Sequence, residues 1–224
     1  MTDVLPEPRR ARRLVAGAVT AYVVMHHVGA ANALGEVGQT RWADWADLAT
    51  PWLVVLPLAA ALAVSRQPAR EWVLLVVAAL AYTEGHGIHL AGNSVNNREP
   101  SDVAHLWDEV VGHWVWYSGA ALLGVVAVRA LARSGVPAGP LPWLLGLLAG
   151  TTWATNSLEG GTAYLGLAVA ATALVWGARR GGRLGRLVAG SAVAAAAVVL
   201  GYAVAYGGFP QPSAPGGWPP GWLP

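Results

Sequence analysis

The chain contains no cysteine, no lysine and a single phenylalanine. Without cysteine there are neither disulfides nor thiolate ligands, so a bound metal must rely on imidazole, carboxylate, amide or water. Charge is scarce too: 12% of the 224 residues are charged, against about a quarter in a soluble domain. No glycine-rich phosphate loop, no Gly-x-Ser-x-Gly elbow and no helical His-Glu-x-x-His is present, which disfavours the chemistries those motifs support. All 14 basic residues are arginines, set in short clusters between apolar runs rather than along one face, and that pattern argues against nucleic-acid binding.

What the chain has in abundance is apolar sequence, 55% of the whole. About 20 apolar residues at a rise of 1.5 Å cross the hydrocarbon of a bilayer. Seven segments qualify, at 14–35, 50–65, 71–93, 104–131, 140–158, 160–178 and 185–206. Breaks between them carry turn chemistry: Pro51 opens the second, Glu99 to Asp102 precede the fourth, Pro137 to Pro142 precede the fifth, and Gly160 with Gly161 divide the fifth from the sixth. The arginines before the first segment, with Ala31, Asn32 and Ala33 near its end, have the outline of a secretory signal, but the segment is long and holds His26 and His27, so it reads as a span. The expected fold is all-α: one polytopic domain over 1–224, a bundle of seven transmembrane helices with a Pro/Gly/Trp-rich tail at 207–224.

Orientation follows from the arginines, because positively charged short loops stay cytoplasmic. Arg9, Arg10, Arg12, Arg13, Arg66, Arg70, Arg129, Arg133, Arg179, Arg180, Arg183 and Arg186 all fall on one side of a seven-span arrangement; Arg41 and Arg98 are the exceptions. This predicts a multi-pass protein of the plasma or inner membrane, N-terminus cytoplasmic and C-terminus outside. Most acidic residues then lie outside, and Trp42, Trp45, Trp52, Trp107, Trp114, Trp153, Trp218 and Trp222 form an outer aromatic belt.

All six histidines fall in the outer half of their segments. Ionisable groups within a membrane are costly and face a bundle interior or a water-filled cavity, so such clustering is a functional signal. His86, His89 and Asn93 are spaced i, i+3, i+7 and share a helical face, while Gly85 and Gly87 flank His86 and permit close approach of a neighbouring helix. On the fourth segment His105, Glu109 and His113 follow i, i+4, i+8, with Asp108 one step aside. A short loop makes these two segments antiparallel neighbours whose polar stripes can meet. His26 and His27 lie about 100° apart on a helix, so one of them faces the site. The expected metal ligands are His86, His89 and His113, joined by His105, His26 or His27. Glu109 or Asp108 serves as further ligand or general base, and Asn93, Asn156, Glu159 and Glu84 surround the ligands.

A divalent metal, zinc or iron, follows from this donor set. The expected function is a metal-dependent enzyme, a hydrolase or oxidoreductase, acting near the outer leaflet on a lipid-like or small hydrophobic substrate. A metal-ion or proton transporter is the alternative, but the stretches 73–80 and 120–128 are apolar and offer no continuing path. A b-type haem protein, with His89 and His113 as axial ligands, is the third reading.

Overall fold

The computed structural model describes residues 7–28 and 34–212. Nine α-helices are present among them: α1 (Glu7–Met25), α2 (Trp42–Asp47), α3 (Thr50–Val64), α4 (Ala69–Asn96), α5 (Asp102–His105), α6 (His113–Ser134), α7 (Leu141–Glu159), α8 (Ala163–Arg180) and α9 (Gly182–Tyr206). A π-helical stretch, Leu106–Gly112, joins α5 to α6 without a break. A two-residue antiparallel pair, β1 (Glu36–Val37) with β2 (Thr40–Arg41), precedes α2.

Each apolar segment read from the sequence overlaps a helix, and among the described residues four helical stretches are long and apolar enough to cross a membrane: Trp42–Val64, Ala69–Asn96, Asp102–Ser134 and Gly182–Tyr206. The molecule is thus a helical protein with membrane-spanning character. The main departure is in the first segment, where α1 ends at Met25, well short of residue 35. His26 and His27 sit in the turn that closes the helix, and Ala31 to Ala33 lie outside the described residues.

Helix ends follow local chemistry. Pro51 occupies the first turn of α3, where its missing N–H costs nothing, and Ser101 Oγ accepts the Ala104 N–H at 3.2 Å to start α5. After α3 the chain closes a Schellman turn, Gln67 N–H bonding Leu62 O at 3.1 Å, with Arg66 in the left-handed region at φ 49°.

The chain forms two compact units, Met1–Leu145 and Gly146–Pro224. In the first, α1 packs on α3 and α4 on α6. Buried residues of α1 (Ala11, Val15, Ala18) and α3 (Val54, Leu58, Ala61) recur at i, i+4, i+7, the spacing of one helical face. On α4 the same stripe passes from Glu71 through Leu75, Ala78 and Tyr82 to His86. Its apolar part is core; its continuation carries chemistry.

The α4–α6 seam is set by glycine. A Cβ on Gly85 would collide with the Trp116 backbone, and one on Gly119 with the Tyr82 backbone. Farther along, a Cβ on Gly92 would lie 2.9 Å from Asp108 Cα and one on Gly112 2.8 Å from the His89 backbone nitrogen. These pairs run in opposite directions along the two helices, so α4 and α6 are antiparallel and in backbone contact, the arrangement small residues permit in membranes. Gly87, by contrast, faces open space and is no part of the seam.

In the second unit, α8 and α9 pack around Ala154, Leu158, Ala163, Ala170, Ala195, Val199 and Tyr202. Trp153 Nε1 donates to Gly166 O at 3.2 Å and Gln211 Nε2 to Glu159 O at 2.8 Å, which fastens the chain after α9 back onto α7.

Candidate metal centre

The seam brings His89 from α4 together with Asp108 of the π-helical stretch and His113 of α6, with one donor atom from each inside 4.8 Å of the others. Asp108 is 1% exposed and His113 3%. His89 Nδ1 donates to Asp108 Oδ1 at 2.7 Å. A carboxylate only accepts, so Nδ1 carries the proton of that bond. His113 is fixed the same way: its Nδ1 donates to the Glu109 carbonyl at 3.2 Å and lies 3.3 Å from Glu109 Oε2. The two imidazole rings are 4.4 Å apart, centroid to centroid.

The π-helical stretch explains why Asp108 is inside. In a regular α-helix residues five apart point about 140° away from each other. Bonding from i to i+5 stacks them instead, so Asp108 and His113 share a face. The expected stripe of His105, Glu109 and His113 is broken by the same feature: His105 is exposed, Glu109 is half-buried and His113 is buried.

A second pair lies beside the first. His86, 2% exposed, has Nε2 3.3 Å from Asp47 Oδ2, an ion-pair distance off the line of a good hydrogen bond. Thr50 Oγ1 donates to Asp47 Oδ1 at 2.5 Å. Of the two histidines after α1, His26 is the inward one, its Nε2 2.6 Å from the Tyr82 hydroxyl. His27 is exposed and its Nδ1 donates to Val23 O at 2.7 Å.

Trp116 holds these groups in one layer. Its ring centroid is 4.8 Å from His26, 4.8 Å from His86, 5.1 Å from His89 and 6.1 Å from His113. Histidine spacing alone does not point to Asp47, Tyr82 or Trp116. Helical spacing from the histidines does mark two of them, since Tyr82 lies four residues before His86 and Trp116 three after His113. Asp47 carries no local signal, because α2 is a six-residue helix in a stretch without apolar periodicity.

Of the other expected neighbours, Asn93 Oδ1 accepts from Asn97 Nδ2 at 2.9 Å at the end of α4, and Glu84 is exposed on the face of α4 that turns away from His86. Asn156 and Glu159 are on α7 in the second unit. The two exceptional arginines have structural partners: Arg41 pairs with Asp44 at 2.6 Å, and Arg98 with Glu36 at 3.0 Å, tying the β1–β2 hairpin to the end of α4.

Comparison with protein-family models, with curated proteins and with solved structures gives no match.

Proposed function

We propose that the chain is a seven-span membrane protein that binds a divalent metal through His89, Asp108 and His113, with Glu109 as adjacent ligand or general base. One observation carries this reading: Asp108 is buried and hydrogen-bonds the His89 imidazole, with no arginine paired to it among the described residues. A buried carboxylate is stable only when paired or metal-bound, and Asp47 beside His86 adds a second such charge in the same layer. A cation among His89, Asp108 and His113 satisfies the first of them. The donor set of two nitrogens and one or two oxygens suits zinc or non-haem iron.

Metal-activated water or oxygen acting on a lipid-like substrate is the activity that fits a site inside a membrane-spanning helix pair. The haem reading has less support, because rings 4.4 Å apart leave no width for a porphyrin between His89 and His113. Transport has less support as well: between Glu71 and Tyr82 the interior stripe of α4 is apolar.

Seven spans with a cytoplasmic N-terminus and an outer C-terminus in the plasma or inner membrane are supported by the arginine clusters and by exposed tryptophans at helix ends. Trp42, Trp45, Trp52, Trp107 and Trp114 are exposed at the histidine end, and Trp72 and Trp143 begin α4 and α7. Trp218 and Trp222 lie outside the described residues.

The test is elemental analysis of protein purified in detergent, before and after chelation and reloading with zinc or ferrous iron. Stoichiometric metal in the wild type, lost in Asp108→Asn and His113→Ala, supports the reading. Equal metal in both variants removes it.

A further inference from the structure

A cleft of about 630 Å³ opens at the opposite end of the α4–α6 pair from the histidines, lined by Gln67, Pro68, Arg70, Glu71, Arg129 and Arg133 among others. Roughly 28 Å of helix separates Arg70 from His89, so the cleft is chemically independent of the candidate metal centre.

Its charges do not cancel. Glu71, 4% exposed, accepts two hydrogen bonds from Arg129 Nη1 at 2.9 and 3.0 Å, and Arg70 Nε approaches it at 3.2 Å. One carboxylate therefore serves two guanidinium groups, and Arg133 makes no ion pair among the described residues. Gln67 Nε2 is buried there without a hydrogen-bond partner. Three guanidinium groups and an unanswered amide N–H all donate, so what completes the cleft must be an acceptor carrying negative charge. Guanidinium forks match phosphate oxygens in geometry and charge.

The setting selects the source of that phosphate. From the cleft, α4 continues as an exposed apolar face, Val73, Val76, Val77 and Leu80, and α6 exposes Val125. An acyl chain lies against such a surface while its headgroup reaches the arginines at the membrane boundary. We propose that the cleft between the start of α4 and the end of α6 is a binding site for the headgroup of an anionic phospholipid, held by Arg70, Arg133 and the Gln67 amide, with Glu71 and Arg129 as its braced floor. Basic pockets of this kind between spanning helices recognise anionic headgroups.

Native mass spectrometry of the full chain in detergent tests this with phosphatidylglycerol, phosphatidylcholine and inorganic phosphate as probes. Phosphatidylglycerol should be retained in preference to phosphatidylcholine and should resist competition by millimolar phosphate. Arg133→Gln and Arg70→Gln should each weaken its retention about fivefold, and Gln67→Leu should weaken it as well. Arg10→Gln, the same charge change on an exposed residue outside the cleft, should leave retention unchanged. Equal retention of the two lipids, or cleft variants that bind like the wild type, overturns the site. Displacement by inorganic phosphate at equal concentration assigns the cleft to a free anion and overturns the lipid.

Discussion

Each histidine in the polar layer has its own partner, and the partners differ in what they leave available. His89 and His113 turn Nδ1 to Asp108 and to the Glu109 carbonyl. His26 and His86 turn Nε2 to Tyr82 and Asp47. Substitutions should therefore separate. Glu109→Gln should weaken metal about 10- to 100-fold by removing the carboxylate charge beside His113, whereas Glu84→Gln, on the exposed face of α4, should leave it unchanged by metal titration. Trp116→Ala should cost about 3–5 kcal/mol in unfolding stability, since the ring is buried and touches four imidazoles. The glycines separate as well. Gly85→Ala forces a Cβ into the Trp116 backbone and should destabilise by about 1–3 kcal/mol. Gly87→Ala meets only open space and should stabilise α4 by up to about 1 kcal/mol. Thermal unfolding followed by tryptophan fluorescence reads both.

The π-helical stretch decides which carboxylate enters the site. It acts as one residue inserted into an otherwise regular helix from Asp102 to Ser134. Deleting the exposed Val110 should therefore be tolerated, because it converts the five-residue spacing of Asp108 and His113 into the four-residue spacing of an α-helix and keeps both on one face. Deleting Leu122 within α6 should turn the whole polar end by about 100° and abolish metal binding. Circular dichroism with metal analysis distinguishes the two outcomes. This element also marks the limit of what periodicity can reveal. Counting at 3.6 residues per turn locates α4 to within a few residues because that helix is regular, but it does not reveal that His86 turns to Asp47 while His89 meets Asp108 and His113. The same count puts His105 and Glu109 on the inner face and Asp108 aside, since nothing in the composition of Leu106–Gly112 announces i to i+5 bonding. Asp47 is hidden for another reason: it reaches His86 from a distant element, and only the tertiary arrangement brings them together.

At the scale of the molecule, polarity is sorted by end. Arginine clusters with the Glu71 floor occupy one end of the α4–α6 pair, histidines and acids the other, and an apolar stretch lies between. The arginine rule is readable from sequence because it depends on composition alone, and its two exceptions are accounted for by Asp44 and Glu36 as ion-pair partners. The absence of native cysteine makes the orientation directly testable. A single Glu99→Cys should react with a membrane-impermeant maleimide in intact cells, and Ala138→Cys only after permeabilisation; the opposite pattern would invert the topology. The central claim is that His89, Asp108 and His113 hold a metal, and isothermal titration of zinc or ferrous iron into chelated protein measures it most directly. A stoichiometric binding event that disappears in Asp108→Asn, His89→Ala and His113→Ala is the predicted result. A folded wild-type protein that takes up neither ion, or variants that bind as tightly as the wild type, would contradict it.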